Sequence, residues 1–245
     1  MADIYTNPNL YDVIHKNISS DKAMITHYAK ECGGPVLELA SGTGRLAKPI
    51  IDIGLPYTGI DTSKDFIQEA KKRFSNKGVF QLDNMQAFQH QSDYDFIFFG
   101  FNSFLHNLKN KDAENCLSCV YKHLSGKGLF FVSAFIPDPI FLYQGNDFRP
   151  DTDYFIYKNK QCRIMGRNSY DDSTQINSIT WRLEYDGIIS EEKYSYKMRM
   201  RMYYPHMMDI LLDDNGFMIE EKYGDWDRSS IDEFSPMQIY ICRKK

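Results

Sequence analysis

Hydrophobic and polar positions along this chain fall into two regimes. Between residues 36 and 135, short apolar runs alternate with segments of helical period. The runs at Val36–Leu39, Tyr57–Ile60, Val79–Leu82, Tyr94–Phe99 and Leu129–Phe135 read as strands, and the near-continuous apolarity of residues 94–99 marks one buried on both faces. Helical segments fall between them. One runs from about Arg45 to Ile53, another carries Phe66, Ile67, Ala70 and Phe74 on one stripe with Thr62 or Ser63 as its cap, and a third is amphipathic over residues 112–124. This alternation, repeated five times, predicts an α/β fold around a parallel sheet with right-handed crossovers.

The flanking regions read differently. Residues 9–16 suggest a short helix, and Ser20 or Asp21 can cap a second that Gly33, Gly34 and Pro35 end near Cys32. From Asp151 to Tyr204 the period becomes two, broken by turns at residues 171–172 and 186–187, which predicts a three- or four-stranded antiparallel insertion. In its last strand Tyr194, Tyr196, Met198, Met200 and Met202 share one face, opposite Lys193, Lys197, Arg199 and Arg201. The Met and Tyr face either packs on the domain or lines a chamber for a partly apolar molecule. Pro205 then opens a final helix ending at Asn215-Gly216, with strands at Phe217–Tyr223 and Met237–Cys242.

Candidate chemistry concentrates after the first strand. Gly42 and Gly44 supply a tight turn that lets the backbone approach a nucleotide. Read as Gly42-x-Gly44-x-x-Ala47 it satisfies the loose dinucleotide pattern, yet Glu38 sits where a pyrophosphate would lie, and an anion there suits an ammonium group instead. Asp61, about 20 residues on, ends the second strand where ribose hydroxyls are bound. Asp83, Asn84 and Met85 end the third strand, where a carboxylate can accept from an adenine amino group and an apolar neighbour can cover the ring. After the fourth strand come Gly100, Phe101 and Asn102, then His106, which can take up a proton near neutral pH. Either it does so or it is a hydrogen-bonded packing residue.

Composition narrows the classes. The 245 residues are 42% hydrophobic, enough for one sizeable core, and the net charge of -4 with a pI near 5.9 argues against nucleic acid as a partner. The five cysteines form no paired framework, and Cys116-x-x-Cys119 lies in a helical stretch without a second ligand pair, so no metal is expected. With neither a basic leader nor an apolar run of membrane length, the expectation is a cytoplasmic protein without a membrane partner.

The order ELASGTGR, GID, QLDNM, GFNSFLHN and a late NGF resembles class I S-adenosylmethionine (SAM) dependent methyltransferases almost throughout the chain. The insertion and FNSFLH resemble the bacterial small-molecule N-methyltransferases, both glycine N-methyltransferase-like and deoxyaminosugar N,N-dimethyltransferase-like. Ala40 departs from the glycine most common at its position. The resemblance implies a Rossmann-like sheet of seven strands with an antiparallel last hairpin, in a single methyltransferase domain over residues 1–245. It further implies an N-terminal helical lid at residues 1–32 and an insertion at residues 151–204 covering the substrate side. It implies SAM as cofactor and S-adenosyl-L-homocysteine as product, with a methyl group passed to nitrogen or oxygen of a small-molecule acceptor by a monomer or homodimer.

On the same resemblance the cofactor is held by Tyr11, Glu38, Ala40, Ser41, Gly42, Gly44, Asp61, Thr62, Asp83, Asn84, Met85, Gly100, Phe101 and Asn102. His106 and Tyr11 are its catalytic candidates, although Tyr11 also reads as aromatic packing. Two other classes stand beside this one: a SAM-binding sensor without turnover, and an NAD(P)-dependent dehydrogenase.

Overall fold

The computed structural model describes residues 4–91 and 93–245, so the first three residues of the expected 1–32 segment lie outside the described part. The chain divides into two compact units, one of residues up to Ile18 with Pro137–Met202, the other of Ser19–Ile136 with Tyr203–Lys245.

The larger unit contains the parallel strands β1 (Val36–Leu39), β2 (Tyr57–Asp61), β3 (Val79–Leu82), β4 (Tyr94–Phe99) and β5 (Leu124–Phe135). All four residues of β1 are buried, as its apolar run requires of a strand covered on both faces. The helix Lys64–Phe74 starts with the Ser63 hydroxyl accepting from the Phe66 N–H at 3.2 Å and buries Phe66, Ile67, Ala70 and Phe74 as their spacing predicts. Helix Ser20–Cys32 ends on Gly33, whose φ of 68° suits glycine.

Three expectations for this unit are corrected. The helix after the glycine turn spans only Ala47–Asp52, because residues 42–46 are spent on the turn itself. No helix joins β3 to β4 among the described residues: a turn around Asn84–Ala87 makes the crossover, so the alternation is incomplete there. Strand β5 begins at Leu124, directly from helix Asn110–His123, because Tyr94 of β4 already pairs with Leu124.

In the smaller unit the insertion is richer than three or four strands. Strands β6 (Arg149–Pro150), β7 (Phe155–Tyr157), β8 (Lys160–Asp171), β9 (Ile176–Tyr185), β10 (Ile188–Ile189) and β11 (Tyr196–Arg201) form one antiparallel sheet. The unpredicted turn is Lys158-Asn159, where two non-glycine residues take positive φ. On β11 Met198 is buried and Lys197 and Arg199 are exposed, as alternation requires, while Tyr194 falls in a short 3-10 turn and is exposed. The side chain of Lys193, expected on the basic face, is outside the described part. The core of this unit joins Ile4 and Leu10 to Phe155, Ile164, Ile179, Leu183 and Met198, with Tyr11 packed against it.

Strands β12 (Phe217–Tyr223) and β13 (Met237–Lys244) complete the larger unit's sheet in the order β12-β13-β5-β4-β1-β2-β3. Both β12 with β13 and β13 with β5 pair antiparallel, so the sheet has seven strands and an antiparallel last hairpin, as expected. Strand order reverses between β1 and β4, which places a crevice at the carboxyl ends of those strands.

Candidate active site

The register aligns the strand ends that carry the candidate residues. Leu39 of β1 sits opposite both Ile60 of β2 and Phe99 of β4, and Asp61 opposite Leu82 of β3, so the segments after all four strands leave the same edge. Backbone bonds continue the ladder past the strands: the Ser41 N–H donates to the Ile60 carbonyl at 2.9 Å, and the Asp83 N–H to the Asp61 carbonyl at 3.1 Å. Thus Glu38, Ala40, Ser41, Gly42, Gly44, Asp61, Thr62, Asp83, Asn84, Met85 and Gly100–Asn102 share one rim.

The turn of residues 40–46 is shaped by left-handed backbone. Gly42 and Gly44 have φ of 57° and 81°, and Ala40, with φ of 56°, takes the same region with a side chain. A Cβ at Gly44 would lie 2.6 Å from Phe74, so that glycine is needed twice over. Asp61 braces this turn: its Oδ2 accepts from the Gly42 N–H at 2.9 Å and its Oδ1 from the Ser63 N–H at 2.7 Å. Each carboxylate oxygen has a second lone pair, which leaves Asp61 able to accept from two hydroxyls as well. Burial pushes its pKa up, and those backbone bonds oppose the push.

Glu38 is almost wholly buried and receives the Tyr57 hydroxyl on Oε2. Its pKa is pushed up to about 8, first by burial, against the lowering by Tyr57 and by the nearby Arg45. Its other oxygen faces Gly100, where a Cβ would come to 3.9 Å. An acid held in this state gains by meeting a cation.

Sequence reasoning missed Arg45 and Asp21. Asp21, expected to cap its helix, is buried in a pair with the Arg45 guanidinium (Nη1 to Oδ1 2.8 Å), and no side chain caps that helix. Arg45 also stands 5.3 Å over the Phe101 ring, so one side chain links the helix, the glycine turn and the segment after β4. Its place in ELASGTGR was the available signal. Phe101 and Asn102 both take positive φ, and Asn102 Oδ1 accepts from the Phe135 N–H at 2.7 Å, which fixes this segment to β5.

His106 ends the 3-10 turn Ser103–His106 in the same unit, half-buried, beside Asn107, whose carbonyl accepts from the Tyr203 hydroxyl at 2.6 Å. Tyr11 belongs to the smaller unit, where its ring lies 4.2 Å from His15 and its carbonyl accepts from His15 Nδ1 at 2.8 Å. Among the described residues no cluster of three His, Cys, Asp or Glu fits a metal, and no helix is long and apolar enough to cross a membrane.

Residues 36–128 match a family described as "Methyltransferase domain". No curated protein sequence matches the chain. Among solved structures, the CcbJ methyltransferase from Streptomyces caelestis is similar over 98% of both chains at 21% identity with a TM-score of 0.82. A S-adenosylmethionine-dependent methyltransferase from Clostridium acetobutylicum is similar over 96% of both at 17% identity and 0.77. The SAM-bound CalS10 from Micromonospora echinaspora, an amino pentose methyltransferase, is similar over 97% of both at 11% identity and 0.75. The chain has the fold of class I methyltransferases.

Proposed function

We propose that this protein is a SAM-dependent methyltransferase that passes a methyl group to nitrogen or oxygen of a small-molecule acceptor. The observation that carries the reading is the buried Glu38 beneath the glycine turn, where a dinucleotide would bring an anionic pyrophosphate and SAM brings an ammonium. The neighbouring methyltransferases supply the reaction class, and the amino pentose enzyme among them makes an aminosugar-like acceptor a reasonable first panel.

The residues present fit the cofactor. Glu38, with Ala40, Ser41, Gly42 and Gly44, would hold the methionine end, Asp61 and Thr62 the ribose, and Asp83, Asn84 and Met85 the adenine. Gly100, Phe101 and Asn102 would border the methyl group, and Tyr11 is the candidate from the smaller unit. When bound, the cofactor supplies an electrophilic methyl on a sulfonium that leaves as a neutral thioether. The chain's own task is to align the acceptor's lone pair in line with the breaking carbon–sulfur bond, to exclude water, and to accept one proton. An imidazole nitrogen of His106 is the proposed acceptor of that proton, with Tyr11 orienting the nucleophile.

Calorimetric titration with SAM, S-adenosyl-L-homocysteine and NADH tests the assignment. Saturable binding of the first two alone is expected, followed by labelled-methyl transfer to a panel of small amines and alcohols. Binding of NADH alone would replace this reading with the dehydrogenase. SAM binding without transfer to any acceptor would favour the sensor.

A further inference from the structure

Asn107, the residue after His106, is wholly buried and bonds both within its own turn and beyond it. Its backbone N–H and its side-chain Nδ2 donate to the same Phe104 carbonyl, at 3.1 Å and 3.0 Å, which closes the 3-10 turn that carries His106. Its own carbonyl accepts from the Tyr203 hydroxyl. Tyr203 is fixed in turn by its ring, 5.4 Å from that of Phe104, and by its carbonyl, which accepts from Gln238 Nε2 at 2.5 Å. One bond leaves this segment for the loop after β3. With Nδ2 spent on Phe104, the Asn107 amide presents Oδ1 to that loop, and Gln86 Nε2 donates to it at 3.1 Å from 21 positions away in sequence.

Gln86 is itself set by residues assigned to adenine. Its backbone N–H donates to Asn84 Oδ1 at 2.9 Å, the Ala87 N–H to the Asn84 carbonyl at 2.9 Å, and the Asn84 N–H to Asp83 Oδ1 at 2.7 Å. An unbroken run of hydrogen bonds therefore leads from Asp83 through Asn84 and Gln86 to Asn107, whose peptide adjoins His106. A turn that only had to cross from β3 to β4 could close on its own bonds. The Gln86 side chain instead reaches inward, to a buried amide on the segment after β4.

We propose that Gln86 is a positioning residue that couples the adenine end of the site to His106. A nucleoside that engages Asp83 and Asn84 holds this loop in one arrangement. Gln86 then holds the Asn107 amide, and through it the turn that presents the imidazole. Binding at one end restricts the other without any contact between cofactor and imidazole, so the proton acceptor is most firmly placed when the methyl donor is in. This rests on the assignments, made above, of Asp83 and Asn84 to adenine and of His106 to the proton.

The test is NMR of the full chain with labelled imidazole carbons, titrated with adenosine, which fills the adenine and ribose positions and brings no methionine end. The signal missing from His106→Ala identifies that imidazole. In wild type the His106 signal is expected to move as adenosine binds. Gln86→Met, similar in length but without the donor, is expected to bind adenosine and lose that movement. Gln86→Ala, which cannot span the gap, should behave alike and serves if the methionine variant does not fold. Tyr203→Phe, which cuts another tie to Asn107 and leaves the Gln86 bond, should keep the movement. An unmoved His106 signal in adenosine-bound wild type, or the same movement in the Gln86 variants, overturns the proposal. So does its loss in Tyr203→Phe as well, which would trace the effect to a generally weakened turn. Failure of both S-adenosyl-L-homocysteine and adenosine to bind would remove the cofactor reading, and this proposal with it.

Discussion

Tyr57 on β2 gives its hydroxyl to the carboxylate of Glu38 on the adjacent β1, and both side chains are buried. The acid that would meet the cofactor's ammonium is thus kept from water and pointed by a neighbour. Burial dominates, so its pKa rises from the usual 4.5 to about 8.

A pH dependence follows. A carboxyl whose pKa is raised on folding binds its proton more tightly in the native state, so native stability falls as pH rises from about 4.5 to about 8. Thermal melts without ligand should show the melting temperature declining across that window, and Glu38→Gln should flatten the contribution. SAM affinity should move oppositely, rising with pH to a plateau above about 8, and should drop by roughly ten-fold or more in Glu38→Gln.

The ion pair of Asp21 with Arg45 gives a second prediction. Asp21 is about 1% exposed, so Asp21→Ala leaves a guanidinium without its carboxylate, at a cost of about 3 kcal/mol in urea unfolding. Replacing both partners by apolar residues should cost less than the two single changes summed. Additive losses would show that the two side chains do not act as a pair.

Ala40 holds a left-handed conformation that costs a residue with a Cβ about 1–2 kcal/mol. Glycine there relieves that strain and loses part of the gain to unfolded-state entropy, so Ala40→Gly should stabilise by about 0.5–1 kcal/mol. Ala40→Val should destabilise, because a β-branched residue tolerates positive φ poorly.

His106→Ala should lower turnover by about 10²-fold or more and leave SAM affinity within a few-fold of wild type. Wild-type turnover in this variant would take the histidine out of the mechanism.

How much of this was legible in the sequence depended on how far apart the causes lie. The strands of the larger sheet were legible because apolar runs and the turns after them are local, and so was the rim of residues after β1 to β4. The crossover after β3 was over-read: Asn84 bonds its own loop through Gln86 and Ala87, and a turn suffices where a helix was expected. Asp21 looked like a cap because an acidic residue in a first turn usually serves that end, and its actual partner lies 24 positions away on another element. Tyr57 was passed over for the same reason, since it acts through Glu38, 19 positions away on another strand.

The position of β13 has a consequence for how the chain is made. It emerges from the ribosome after β12 yet sits between β12 and β5, so β12 has no neighbour in the sheet, and β5 has only β4, until those late residues arrive. Until then one edge of Phe130 to Phe135 is an unpaired apolar margin. The chain is therefore open to edge-to-edge association in the interval before β13 is released.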